Sequence, residues 1–494
     1  MTVRRPVPAP AAVVFLLMLV AAAVLRGWQA VNTDGDLGRH LRVGETILQR
    51  GLFYQDLFSW TMAGRPFVPY EWLSEVLFAL AYRVAGIPGA VALTALVIAG
   101  SYLMLSLLLR RLGVDPLLAF LTVVTAGVIG AFHWLARPHV FTFAGAVALL
   151  WLLESPGAQA RIRWLLALAF LLFAAWANLH GGFLFGLVLI GMYLAGDVLE
   201  SRERLRTDAG LLAAALLGSM LNPVGPALLS HVAGYLGETF LVDTTLEYRS
   251  PDFHGWIGRA FLAALVAMIG GLALSRRPVS IRRLAAMLGT TAFALHSVRN
   301  VPLWGLTALP LAAIHLDQEW RLLGARGLAH MRAAFDAVSG QADTGWWSAG
   351  GAAALVALAF GGGRIGGAQL MPDRFDPRVF PVDVVQQAHD AGVLGRIFNE
   401  LAWGGYLLHA WPEQKVFIDG QTDFYGEALS RQYVSVRAAR PGWRERLDEW
   451  RIELVLLPME APLSNALSSD DAWVLIANRR NAELYARRTQ RPPF

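Results

Sequence analysis

There is no cysteine among the 494 residues. Disulfides, thiolate nucleophiles and cysteine-ligated metals are therefore excluded, although this does not decide the compartment. Charge is scarce too: Asp, Glu, Lys and Arg make up 16% of the chain, against about 25% in a soluble globular protein. Lysine is nearly missing, Lys415 being a rare example, and almost every basic residue is arginine. No basic face interleaved with aromatics occurs, so nucleic acid is not read as a partner. There is also no internal repeat, such as the two related halves that many transporters carry.

What the chain does have is apolar length. Its mean hydropathy is +0.46. Apolar runs near the roughly 20 residues that cross a bilayer recur along it, and in lipid such runs must be helices. The runs fall at 11–30, 87–109, 116–133, 139–153, 163–177, 183–199, 209–221, 257–274, 283–297, 302–316 and 348–365. The expectation is a polytopic α-helical membrane protein of about eleven spans, some short enough to require tilt or local thinning. The first run could also be a signal peptide, since Ala21–Ala23 sit near its end; it is read as an uncleaved span.

Arginine supplies an orientation. With the N-terminus inside, the inside loops hold Arg4 and Arg5, Arg110 and Arg111, Arg161 and Arg163, and Arg202, Arg204 and Arg206. They then hold Arg276, Arg277, Arg282 and Arg283, and lastly Arg321, Arg326 and Arg332. This is the positive-inside pattern. It places the C-terminus outside. Two segments interrupt the hairpins. Residues 31–86 form a long outside loop, in which 37–50 reads as an amphipathic helix and 70–84 as another. From about residue 371 the composition becomes that of a soluble domain. There VFID (416–419), ELVLLP (453–458), WVLIAN (473–478) and ELYARR (483–488) read as strands alternating with helices. The division is thus 1–370, a membrane module, and 371–494, a non-cytoplasmic α/β domain.

Ionisable groups beside apolar segments are costly and mark function. On this topology they gather at the outer ends of spans: Asp34, Asp36, His40, Glu71, Arg137, His139, Asn178, His180, Asn222, Glu247, Arg249, Asp252, His254, His296, Arg299 and Asn300. Each has a plainer reading. Asp34 and Asp36 are open to being solvated loop acids, Glu71 an acid at a helix N-terminus, and Arg299 a snorkelling side chain. Asp419, in the run DGQTD, is better read as a turn former than as a ligand. Gathered on one face, the outer groups point to a polar site there. An acid can act as general base on a hydroxyl, and an arginine can hold a phosphate.

The first span and the stretch NTDGDLGRHLRVGETILQRGLFYQDLFSWTMAGRPFVPYEWLSEVLFAL resemble uncharacterised bacterial members of the GT-C superfamily of integral membrane glycosyltransferases. So do RPHVFTF, WANLHGGFLFG, LNPVGP, EYRSPDF, SVRNVPL and FNELAWGGYLLHAWPEQKVFIDGQTDFYG. The resemblance is looser to protein O-mannosyltransferases and to the aminoarabinose transferase of lipid A. It implies a polyprenyl-phosphate sugar donor, an outside soluble domain and an acidic motif in the first outside loop, to which Asp34 and Asp36 correspond. These two are the candidate catalytic residues and also candidate ligands for Mg²⁺ or Mn²⁺; no other cofactor is implied. Arg299 and Arg137 are candidate phosphate contacts. His40, Glu71, Asn178, His180, Glu247 and Asn300 are candidates to shape the donor or acceptor site.

The expected activity is transfer of a sugar from a polyprenyl-phosphate carrier to an envelope glycan, lipid or protein on the outer face of a bacterial plasma membrane. Two other readings stand beside it. One is a secondary transporter or lipid translocase, which the one-sided charge disfavours. The other is a non-catalytic envelope scaffold working through its outer domain.

Overall fold

The computed structural model describes residues 8–200, 202–235, 246–324, 326–341 and 344–488; Arg4 and Arg5 of the orientation argument lie outside them. Each of the apolar runs falls on a helix. Among the described residues, Trp72–Arg111, Pro116–His133, Ala158–Leu179 and Trp256–Leu274 are long and apolar enough to cross a membrane. Pro10–Leu25, Val140–Leu153, Phe183–Leu199 and Gly345–Phe360 are apolar but shorter. Outward-facing Leu168, Leu171, Val266 and Ile269 are exposed, as lipid-facing side chains of an integral membrane protein must be.

Local chemistry sets the helix ends. Pro10 opens the first helix at a position whose N–H needs no partner. Asp115 caps Pro116–Gly130, accepting from the Leu117 and Leu118 N–H groups at 3.0 and 3.1 Å. The long helix Trp72–Arg111 is two helices in line. Ala85 and Gly86 break it, and Gly86 takes φ 63°, ψ −153°, a conformation suited to glycine. The amphipathic helix is present as Asp36–Arg50, burying Leu37, Leu41, Gly44 and Ile47 on one face.

Polar groups collect at both ends of the bundle. The helices Val140–Leu153 and Phe183–Leu199 begin beside His139 and His180 and end in a buried ionic knot. In that knot Arg282 meets Asp208 at 2.6 Å and Asp197 at 3.1 Å. It donates to the Leu153 carbonyl at 2.9 Å and lies 4.2 Å from the Tyr193 ring centroid. Arg283 pairs with Glu154 at 2.7 Å. The knot ties four helices together at the end opposite the candidate site.

After Gly345–Phe360 comes a short hairpin, β1 (Arg364–Ile365) and β2 (Ala368–Gln369). A four-stranded sheet then forms in the order β3–β4–β6–β5, from β3 (Ile397–Asn399), β4 (Leu454–Pro458), β5 (Trp473–Arg479) and β6 (Ala482–Arg487). β3 and β4 are parallel; the other pairs are antiparallel. Three of the four expected strands are β4, β5 and β6. The fourth, 416–419, is not a strand. The side-chain amide of Asn399 takes its ladder positions, accepting from the Phe417 N–H at 2.8 Å and donating to the Ile418 carbonyl at 2.9 Å. Val416 instead bridges to Ser59 of the first long loop. Trp60 Nε1 donates to the Ile397 carbonyl at 2.9 Å and Thr61 Oγ1 to that of Phe417 at 2.6 Å. The first loop is thus built into the C-terminal layer.

The buried knot should be sensitive to loss of its cation. Arg282→Ala leaves Asp208 and Asp197 buried without their partner, at a cost of about 3–5 kcal/mol. A clear fall in the thermal unfolding midpoint in detergent is expected. An unchanged midpoint would mean that water replaces the guanidinium there.

Candidate functional site

Asp34 and Asp36 flank the start of the helix Asp36–Arg50. The Asp36 backbone N–H donates to Asp34 Oδ1 at 3.0 Å, which holds the two carboxylates in a fixed relation. Both face Arg137. Its Nε donates to Asp34 Oδ1 at 3.1 Å, a second guanidinium nitrogen pairs closely with Asp34 Oδ2, and Nε lies 3.3 Å from Asp36 Oδ2. Arg137 Nη1 reaches Glu247 at 3.3 Å. Burial alone would lower the Arg137 pKa, but Asp34, Asp36 and Glu247 together raise it. Burial raises the Asp34 pKa, opposed by Arg137.

The same helix carries a second set. Arg39 donates to Glu75 at 3.3 Å, lies 3.8 Å from Asp419 and binds the Gln421 side-chain oxygen closely. His40 Nδ1 lies 3.3 Å from the same Glu75 oxygen. Next to this set, Glu71 faces His180 Nε2 at 3.5 Å. The Gly182 N–H donates to His180 Nδ1 at 3.0 Å, so the ring proton belongs on Nε2, toward Glu71. Burial first, then Glu75, lifts the Glu71 pKa well above the usual range. Burial lowers that of His180, with His139 and Arg299 adding repulsion. Asp36 also lies against the second set, packed on Gly420, the residue between Asp419 and Gln421.

Close backbone contact holds the halves together. A Cβ on Gly38 would lie 2.4 Å from the Gly405 carbonyl oxygen, and one on Gly405 would lie 2.3 Å from that of Gly35. A Cβ on Gly420 would meet Asp36 Oδ1 at 1.9 Å. Glycine at 405 and 420 is what lets the C-terminal segment press onto the acidic turn.

Most of the candidates read from sequence come together here: Asp34, Asp36, Arg137 and Glu247 in one group, His40, Glu71 and His180 in the other. Arg299 lies 4.6 Å over the Tyr248 ring, near enough to act on His180. Asn178 and Asn300 are engaged elsewhere. Asn178 accepts from Trp72 Nε1 at 2.6 Å and donates to the Ala174 and Leu221 carbonyls, both at 2.7 Å. Asn300 donates to the Phe293 carbonyl at 3.2 Å. Sequence reading passed over Arg39 and Glu75. Their signal was available: Arg39 stands in the apolar face of an amphipathic helix, between Leu37 and Leu41, and Glu75 stands in an apolar helix. Asp419 was read as a turn former, and its Oδ1 does accept the Gln421 N–H at 2.8 Å, yet its side chain is buried beside Arg39.

The donor sets bear on metal binding. Arg137 already occupies the Asp34–Asp36 pair, so a dication there would face a guanidinium. His40, Glu71 and Glu75 offer three ligand atoms within 4.8 Å of one another. An imidazole with two carboxylates suits Mn²⁺ or Zn²⁺, though Glu75 would be shared with Arg39.

No protein-family model and no curated protein sequence matches the chain. Solved structures do. ArnT of Cupriavidus metallidurans, bound to undecaprenyl phosphate, superposes with a TM-score of 0.54 at 12% identity, over 96% of this chain and 96% of that one. The archaeal oligosaccharyltransferase AglB of Archaeoglobus fulgidus, in complex with an inhibitory peptide and a dolichol-phosphate, gives 0.56 at 12% identity, over 98% of this chain and 74% of that one. Both are GT-C glycosyltransferases, and at this identity the likeness defines the fold. The chain has the GT-C fold over nearly its whole length.

Glu71 generates a pH-dependent prediction. An acid whose folded-state pKa is raised stabilises the fold below its unfolded value, near 4.5, and that contribution is lost as pH rises through the folded value. The wild-type midpoint should therefore fall, relative to that of Glu71→Gln measured in parallel, as pH is raised above about 4.5. Two parallel pH profiles would place Glu71 in contact with water.

Proposed function

We propose that the protein is a glycosyltransferase that moves a sugar from a polyprenyl-phosphate carrier to a hydroxyl-bearing acceptor on the non-cytoplasmic face of the membrane. The observation that carries this reading is Asp36. It lies at the start of the first loop helix, under the glycine turn of the C-terminal segment, in a fold shared with ArnT bound to undecaprenyl phosphate. Residues 371–494 are then an extracytoplasmic α/β domain that closes the site from above, and the N-terminus is cytoplasmic.

In this reading Asp36 takes the acceptor proton, being held less tightly by Arg137 than Asp34 is. The acceptor oxygen attacks the anomeric carbon as the bond from that carbon to the carrier phosphate breaks, and the electron pair leaves with the phosphate. Arg299 meets that developing charge. Asp34 and Glu247 fix Arg137, which orients Asp36, so Arg137 acts by positioning as much as by direct contact with phosphate. Glu71 and His180, which face each other at 3.5 Å, present hydrogen bonds to sugar hydroxyls. His40, Glu71 and Glu75 would hold a Mn²⁺-like cation, which when bound would supply further charge stabilisation for the leaving phosphate. The one-sided placement of these groups favours chemistry at a surface over passage through the bilayer.

Purified protein in nanodiscs, given labelled polyprenyl-phosphate sugars and a membrane extract, should consume donor and label an acceptor. Asp36→Asn should lower the rate by about a hundredfold or more, and Gly420→Ala, which pushes a methyl into Asp36, should approach it. Equal rates in wild type and Asp36→Asn would remove Asp36 from the chemistry. Separately, millimolar Mn²⁺ should raise the wild-type unfolding midpoint by the linkage of binding to folding and leave that of His40→Ala with Glu75→Gln unmoved. No effect on either protein would exclude a cation at this cluster.

A further inference from the structure

A cleft of about 530 Å³ opens between the first long loop, the C-terminal segment and the helix Ala227–Tyr235. Its walls include Arg65, Pro66, His231, Gln421, Asp423 and Phe424. The size falls in the range of small-ligand sites, roughly 300–1,000 Å³, and would hold two or three sugar rings. One end reaches the reaction centre: Gln421 accepts from Arg39, which pairs with Glu75 and Asp419.

The lining is polarised. Arg65 and Pro66 are exposed, whereas Gln421 and Asp423 are half-buried, so the cation stands at the mouth and the acid lies deeper. Among the described residues the Arg65 guanidinium has no hydrogen-bond or ion-pair partner, and the Asp423 carboxylate is engaged by the backbone N–H groups of Asp423 and Phe424 and by the charge of Arg39. Phe424, packed edge-on to Phe67 at 5.8 Å, gives the wall an aromatic surface. An aromatic face beside a carboxylate and an amide suits a sugar ring and its hydroxyls. An unpaired arginine at the rim suits a planar or tetrahedral anion. Deeper in, the Asp423 carboxylate lies within the influence of Arg39, so that cation is already matched by acids, whereas the one at the mouth is open to an incoming anion.

We propose that this cleft binds the acceptor, and that the acceptor is a carbohydrate with an anionic substituent, carboxylate or phosphate. Arg65 holds the anion at the mouth while the hydroxyl-bearing end faces Asp423, Gln421 and the centre beyond. This inference rests on the glycosyl-transfer reading for the word acceptor, but the site itself is testable without turnover.

Binding of a galacturonic acid disaccharide, of glucose 6-phosphate and of an uncharged galactose disaccharide would be measured by calorimetry on the full chain in nanodiscs. At least one acidic probe should bind about tenfold or more tightly than the neutral one, and which one does so distinguishes carboxylate from phosphate. Arg65→Gln, at an exposed position, should keep the wild-type unfolding midpoint and remove that preference. Phe424→Ala should weaken all probes. Equal affinity for acidic and neutral probes, or a preference that survives Arg65→Gln, overturns the proposal. Acid-selective binding in a protein that turns over no lipid-linked sugar would leave the cleft standing and sink the transfer reading; turnover without acid selectivity would do the reverse.

Discussion

One guanidinium organises the outer face of this protein. Arg137 leaves the bundle between the helices Pro116–Gly130 and Val140–Leu153 and meets Asp34, Asp36 and Glu247. Those carboxylates come from chain segments about 100 residues to either side. Three acids in a largely buried space would repel one another and take up protons; one fixed cation lets them coexist. The first loop therefore starts in a set direction, and the helix Asp36–Arg50 lies where its second charged residue, Arg39, meets the C-terminal segment.

From that point the structure is a chain of consequences. Arg39 links Glu75, below, to Asp419 and Gln421, above. The glycines at 35, 38, 405 and 420 remove the side chains that would keep the two layers apart. Trp28 and Asn32, at the end of the first helix, reach the other way and bond Asp376 at 2.9 and 2.8 Å. The membrane helices and the C-terminal layer thus meet through hydrogen bonds and backbone contact at several points. A site assembled in this way needs its charges neutralised, and the arginine–carboxylate sets do that without closing off Asp36.

The opposite end of the same helices has its own arginine knot, around Arg282. The two ends differ in what surrounds the charges. At the Arg282 end they serve to clamp four helices. At the Arg137 end they adjoin a cleft, the buried acid Glu71 and the His180 imidazole that faces it. Chemistry needs such groups beside open space, and the cleft along Gln421 and Asp423 provides it at the Arg137 end.

Much of this was legible in the chain itself. Hydropathy located the helices, because lipid leaves the backbone no alternative, and the Leu37–Leu41–Ile47 spacing revealed the loop helix. The outer acids and histidines stood out because charge beside an apolar run is expensive. Tertiary structure decided what those residues do to one another. Residue types alone could not tell that Arg137 would be spent on Asp34, that Asn178 would be consumed by Trp72 and two carbonyls, or that Arg39 and Glu75 would join the site. Nor could the pattern VFID reveal that the Asn399 amide would stand in for a neighbouring strand. Periodicity and burial are local properties, which a sequence carries directly; pairing of charges and contact between glycines depend on segments hundreds of residues apart, which only the folded chain brings together.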